Sequence, residues 1–168
     1  LFNKLHKPCI AKVEGPVFAG GFLLLSGCTH VVAEETISFS LPEVKRGIFP
    51  FQVMAGLLEV MPARKVMDWC MRGYKITASE AKELGLVTHV CSLENIDQEL
   101  ELLLKEITGN SPSAIQMGLQ AYDNIKQNST KEQHDYLKGM LMKTLQTRDA
   151  QEGIVAFLEK RKPIWKGE

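Results

Sequence analysis

Residues 7–44 read KPCIAKVEGPVFAGGFLLLSGCTHVVAEETISFSLPEV, and the fold is decided here. Pro8 ends a short helical tail over residues 1–7, because proline cannot continue a helix. Cys9 to Glu14 alternates with Cys9, Ala11 and Val13 on one face, the period of a half-buried strand. Gly15-Pro16 turns the chain, and Gly20-Gly21 opens a Leu-rich helix over Phe22 to Cys28. Val31 to Ala33 and Ile37 to Phe39 are two short strands around a turn at Glu34-Glu35. Leu41-Pro42-Glu43 then reads as a loop, since Pro removes a donor from any central ladder.

From Phe51 onward the pattern is almost wholly helical. Pro62 suits a first helical position and Gly73 a helix stop. Thr77-Ala-Ser-Glu80 has capping-box spacing, and Gly85 closes the short helix that follows. A brief strand over Leu86 to Val90 precedes a helix at Leu93 to Ile107, with Ile96, Leu100, Leu103, Leu104 and Ile107 on one stripe. Further helices start at Ser111-Pro112, at Thr130 and at Asp149, the last ending near Lys162. Strands separated by helices imply parallel pairing and an α/β class. About four strands are few for so much helix, which together with Leu1 in place of Met reads as a chain lacking upstream strands.

Composition bounds what such a chain does. It has 168 residues, 45% apolar and 24% charged, too apolar for disorder. Twenty Lys+Arg against 20 Asp+Glu give a net charge of +0, which argues against a nucleic-acid partner. Cys9, Cys28, Cys70 and Cys91 form no CxxC pair and read as reduced, mostly buried thiols of an intracellular protein. His6, His30, His89 and His134 are too scattered for a metal cluster. Gly15 to Ala33 is the longest stretch without a charge, but its glycines and polar residues fit a buried strand-turn-helix rather than a membrane span. The chain does not end in Ser-Lys-Leu, so that peroxisomal address is absent.

Two places have chemical potential. Gly20-Gly21 sits at a strand-to-helix junction, where unpaired amides and the positive end of a helix can hold an anion or a transient oxyanion. The same two glycines equally serve tight helix–strand packing. Glu43, between Pro42 and Val44, is a carboxylate in apolar company, and a partly buried carboxylate has the makings of a general base. A loop Glu is also commonly just solvated.

In this order and spacing the two places resemble the crotonase (enoyl-CoA hydratase/isomerase) superfamily. The resemblance runs through Lys7-Pro-Cys-Ile-Ala-Lys-Val-Glu-Gly15, Ala19-Gly-Gly21, Phe39-Ser-Leu-Pro-Glu-Val44 and Gly47-Ile-Phe-Pro50. It continues in Ile76-Thr-Ala-Ser-Glu-Ala81, Leu84-Gly-Leu-Val87 and Glu152-Gly-Ile-Val-Ala-Phe-Leu-Glu-Lys-Arg161 with Pro163. It implies an α/β fold in which residues 1–92 are the C-terminal part of a spiral of ββα turns. Residues 93–168 would then be a helical region that assembles homotrimers, often paired into hexamers. The implied partner is an acyl-CoA thioester. No metal or separate cofactor is implied, since coenzyme A is part of the substrate.

By the same resemblance, the Gly20 amide is half of an oxyanion hole that stabilises a thioester enolate, and the other amide lies upstream of Leu1. Hydratases of the family carry a catalytic Glu two residues after the glycine run, where this chain has Leu23. The later catalytic Glu matches Glu43. Removing one acid/base group costs about 10²–10⁴-fold, which points away from hydration. A double-bond shift needs one base only, so the expected reaction is Δ3,Δ2-enoyl-CoA isomerisation with Glu43 as base and acid. A hydratase, and a non-catalytic acyl-CoA-binding or assembly protein, are the alternatives. Phe49, Phe51 and Met54 replace a glycine-rich turn and would either reshape an acyl pocket or simply fill the core. The basic residues after Glu159 suit the C-terminal end of the last helix. The resemblance gives Phe157 and Lys160 a second role, reaching the adenine and phosphates of a coenzyme A bound by a neighbouring subunit.

Overall fold

The structure is a computed structural model that describes residues 2–125 and 130–168. It separates into two compact units, Pro8–Leu102 on one hand and Leu1–Lys7 with Leu103–Glu168 on the other.

In the Pro8–Leu102 unit, β1 (Ile10–Val13) is followed by β2 (Val17–Phe18), α1 (Gly21–Leu25), β3 (His30–Glu34) and β4 (Ser38–Ser40). Then come α2 (Phe51–Leu57), α3 (Ala63–Arg72), β5 (Lys75–Thr77), α4 (Ala78–Glu83) and β6 (His89–Cys91). A three-stranded parallel sheet has the order β1-β3-β6. Its middle strand buries Val31, Val32 and Ala33 consecutively, because neighbours cover both faces of a central parallel strand. A second sheet has the order β2-β4-β5, with β2 parallel and β5 antiparallel to β4. The core between helices and strands is aromatic: Phe22 meets Trp69 edge-on at 5.3 Å and lies 6.4 Å from Phe39. The Trp69 indole N–H donates to the Tyr74 carbonyl at 2.8 Å, so its polar tip is satisfied inside the core.

Several local expectations change. Pro42 opens a 3-10 turn over Pro42–Arg46 rather than a plain loop. At a first helical position its missing N–H costs nothing, and Gly47 closes the turn in the left-handed region at φ 74°. Pro62 caps α3 from outside with an extended backbone instead of forming its first residue. β5 interrupts the stretch read as helical, and its antiparallel pairing breaks the purely parallel expectation. Three residues are too few to show a period. The late strand begins at His89, not Leu86, because the Thr88 hydroxyl takes over the ladder position, bonding both N–H and C=O of Val31. The capping box at Thr77 and Glu80 and the left-handed stop at Gly73 form as the sequence indicates. Of the four free cysteines only Cys70 is buried, and Cys9, Cys28 and Cys91 are half-buried.

α5 (Ile96–Thr108) crosses from the first unit into the second. The second unit adds α6 (Pro112–Ile125), α7 (Thr130–Leu145) and α8 (Arg148–Leu158). The α6 helix packs on α7 and α8, and a short 3-10 turn, Phe2–Leu5, stands where a helical tail was expected. Buried Asp149 organises the tail. It accepts hydrogen bonds from the hydroxyls of Ser111 and Ser113 and from the amides of Lys166 and Gly167 at 2.8–3.2 Å. Burial works against its charge, but these donors outweigh burial and hold the carboxyl at about 2.

α8 stops at Leu158, four residues short of Lys162. Lys160 adopts φ 55°, its amide bonds Phe157 O and the Arg161 amide bonds Ala156 O, the paired closing bonds of a Schellman motif. The basic residues therefore lie beyond the helix, and Arg161 grips Glu152 with two hydrogen bonds of 2.6 and 2.9 Å instead of serving the dipole. Among the described residues no helix is long and apolar enough to cross a membrane, and no three His, Cys, Asp or Glu gather as a metal site. The His134 side chain lies outside the described residues.

Candidate active site

β2 and β4 run parallel side by side, Val17 opposite Phe39 and Phe18 opposite Ser40. Gly20 follows the end of β2 by two residues, and Glu43 follows the end of β4 by three. Both candidates thus leave the carboxyl ends of adjacent parallel strands, which lie about 4.8 Å apart in any ladder. Ligands of α/β sheets bind outside such strand ends.

The first exit is shaped by Ala19, which holds a left-handed φ of 45° without being glycine. Strain of this kind concentrates at functional sites and is held there by surrounding structure. The two glycines that follow play different parts. A Cβ at Gly21 would stand 3.0 Å from Val17 Cγ1, so Gly21 lets α1 fold back onto β2. A Cβ at Gly20 would meet nothing within 4 Å, and its φ of −58° suits any residue. Packing explains Gly21 and leaves Gly20 unexplained. Among the described residues the Gly20 N–H has no hydrogen-bond acceptor.

The second exit carries Glu43 in the 3-10 turn. Its backbone carbonyl accepts from the Ile48 amide at 3.1 Å, which pins the turn. Its side-chain Oε2 is buried and has no hydrogen-bond partner among the described residues. An orphaned carboxylate oxygen costs a fold free energy, so a native one calls for an explanation. The turn is braced from behind by the end of α3. A Cβ at Gly73 would come within 3.0 Å of both Leu41 O and Val44 Cγ1, on either side of Glu43. Buried Cys70, one turn earlier, lies within electrostatic reach of the Glu43 carboxylate. Burial first and that charge second push its thiol upward, so it stays protonated.

Leu23 projects from α1 and is 47% exposed. α1 and α2 meet so closely that a Cβ at Gly56 would lie 2.5 Å from Ser26 Oγ, and Leu23 Cδ2 is 3.9 Å from the same point. Phe49 and Phe51 meet as a tilted pair with ring centroids 5.2 Å apart, Phe49 and Met54 packed against the core and Phe51 exposed. The core reading suits Phe49 and Met54, and leaves Phe51 for another use. Phe157 and Lys160 belong to the other unit, where Phe157 is 81% exposed and Lys160 is the strained residue ending α8.

Sequence reading singled out Gly20 and Glu43 but missed Ala19, Cys70 and Asp149. The first has no signal short of a measured φ. Cys70 is 27 positions from Glu43, and Asp149 resembles any acidic first-turn residue.

The arrangement is that of the α/β crotonase fold, shared with solved structures. Enoyl-CoA hydratase of Mycobacterium smegmatis superposes with a TM-score of 0.93 at 26% identity, over 98% of this chain and 64% of that one. Enoyl-CoA hydratase of Bacillus anthracis gives 0.92 at 29% identity, over 99% and 65%. Carnitinyl-CoA dehydratase of Escherichia coli K12 is 34% identical over 174 residues, covering 99% of this chain and 66% of that protein. The sequence model of the enoyl-CoA hydratase/isomerase family matches residues 1–168, and the chain belongs to that family. It spans about two thirds of the length of these relatives.

Proposed function

We propose that this chain contributes the base and one oxyanion donor of an enzyme acting on acyl-CoA thioesters, and that its reaction is a Δ3,Δ2-enoyl-CoA double-bond shift. The observation that carries this is the buried, unbonded Oε2 of Glu43 on the strand exit beside Gly20. An unsatisfied carboxylate is the state a base needs before it meets a carbon acid. In the reaction, one Glu43 oxygen takes a proton from C2 of a 3-enoyl thioester. Electrons flow into the thioester carbonyl, and the Gly20 N–H donates a hydrogen bond to the enolate oxygen. The electrons return as Glu43 delivers the proton to C4, leaving the 2-enoyl thioester. The same carboxyl is base and then acid, and no net proton is consumed. The partner amide is not assigned to a residue of this chain.

Leu23 is what favours isomerisation over hydration. At the place where hydratases of the family hold a second Glu, it offers no proton and no hold on water. The named relatives are a dehydratase and hydratases, so hydration is the second reading. A non-catalytic acyl-CoA-binding role is the third, and the unbonded Glu43 oxygen weighs against it. Phe51 and Leu23 are exposed apolar side chains, available for an acyl chain to cover. Phe157 and Lys160 are suited to stack on adenine and to meet a phosphate, with the strain at Lys160 tolerated for that use. Leu137, Leu141, Met142 and Leu145 expose apolar surface along α7, which supports assembly into homotrimers or hexamers.

The test is to incubate the full-length protein separately with 3-hexenoyl-CoA and 2-hexenoyl-CoA. Isomerisation of the first without hydration of the second is expected. Hydration of 2-hexenoyl-CoA would replace this reading with the second, and inertness towards both with the third.

A further inference from the structure

The short helix α1 is wedged at both ends against neighbours that leave no room for a side chain. Gly20 is tied to it through the backbone, since the Leu23 amide donates to Gly20 O and the Phe22 amide to Ala19 O, both at 3.1 Å. At its start, a Cβ on Gly21 would stand 3.0 Å from Val17 Cγ1 of β2. At its end, Ser26 meets α2 at Gly56, where a Cβ would stand 2.5 Å from Ser26 Oγ and 3.3 Å from Ser26 Cβ. The layer between the two helices is one side chain thick there, and Ser26 supplies it. The α2 helix is in turn joined to the turn that carries Glu43. The Ile48 amide donates to Glu43 O at 3.1 Å, and the Met54 amide donates to Pro50 O at 2.8 Å. The helix that follows Glu43 thus rests on the helix that starts beside Gly20. A close-packed contact has no slack to absorb a methyl. One added at Gly56 must turn the Ser26 hydroxyl aside and move α1 by a few tenths of an ångström.

We propose that Gly56 is a positioning residue: with Ser26 it sets the spacing of α1 and α2, and so the place of the Gly20 N–H relative to Glu43. This rests on the reading of Gly20 as the oxyanion donor. A hydrogen bond that strengthens only as charge reaches the thioester oxygen acts on kcat rather than on KM. Misplacing a catalytic group by about 1 Å costs about 10²-fold, so a few tenths of an ångström cost about fivefold.

The test compares Gly56→Ala with the double variant Gly56→Ala/Ser26→Gly in the full-length protein. The double variant moves the intervening carbon from α1 to α2 and so restores a layer one side chain thick. Gly56→Ala is expected to lower kcat for 3-hexenoyl-CoA isomerisation about fivefold, with KM changed less than about twofold. The double variant should return kcat to within about twofold of the parent. Alanine is the better helix former, so the melting temperature of Gly56→Ala should not fall in step with kcat. An unchanged kcat in Gly56→Ala, or a loss that the double variant does not recover, overturns the proposal. A readout independent of turnover is the infrared carbonyl stretch of bound hexanoyl-CoA, a saturated thioester that cannot isomerise. A hydrogen bond to the thioester oxygen lowers that band. The lowering should shrink in Gly56→Ala and return in the double variant. Should the parent fail to isomerise 3-hexenoyl-CoA while the band follows this pattern, the isomerase reading is lost and the role of Gly56 stands. A band that Gly56→Ala leaves in place removes the Gly56 proposal and leaves the isomerase reading untouched.

Discussion

Two carboxyl groups of this chain, the buried Asp149 and the half-buried Glu43, are treated in opposite ways. Asp149 accepts hydrogen bonds from two serine hydroxyls and from the amides of Lys166 and Gly167, all from residues distant in sequence. Glu43 keeps a buried oxygen, Oε2, with no hydrogen-bond partner among the described residues. The first carboxylate is spent on structure, since its donors tie the start of α6 and the C-terminal tail to the start of α8. The second is held by its backbone and left chemically unsatisfied. Burial alone therefore says little about what an acidic residue does; the partners decide it.

The contrast can be broken most severely on the Asp149 side. Asp149→Ala strands several buried donors at once and should lower unfolding stability by about 3 kcal/mol, read from denaturant titration. The same group predicts an acid limb. Its folded carboxyl sits at about 2 against roughly 3.9 in an unfolded chain, so the unfolded state binds more protons in between. The contribution is complete above about pH 5 and lost as pH falls towards 2. Asp149→Asn should flatten stability across that window, and a profile with the same slope as the parent would contradict the anchor.

A smaller effect is expected at the end of α8. Lys160 occupies a left-handed position that glycine fills without strain. Lys160→Gly should raise stability by about 1 kcal/mol while raising KM for acyl-CoA. Greater stability with unchanged KM would leave Lys160 a strained cap with no part in binding.

The smallest effect concerns His30 and His89 in the β1-β3-β6 sheet. Burial first, and the neighbouring His89 second, push the His30 imidazole below its ordinary value. The unfolded chain then binds the extra proton more readily, so stability should decline as pH falls below about 6.5. His30→Gln should remove that decline, seen as melting curves that coincide at pH 7.5 and 5.5.

The sequence makes legible those parts of the fold that rest on local chemistry. The capping box at Thr77, the left-handed stop at Gly73 and the alternation of β1 all follow from neighbours within a few residues. β2 and β5 are hidden because two or three residues carry no period, and their pairing with β4 depends on distant segments. The end of α8 is misread for a similar reason. Its basic run suits a helix C-terminus, but Glu152 draws Arg161 into the tail. At the site, Gly20 and Glu43 are visible as residue types in a family pattern. Their shared place at adjacent strand ends and the bracing by Gly73 are properties of packing that spacing cannot encode.

The central claim is that Glu43 is left unbonded for chemistry, and Glu43→Gln in the full-length protein tests it with two readings on one sample. Isomerisation of 3-hexenoyl-CoA should fall by about 10²–10⁴-fold while the melting temperature stays level or rises, since a buried unpaired charge has been removed. Full isomerase activity in Glu43→Gln, or a loss of activity that only follows a loss of folding, would contradict it.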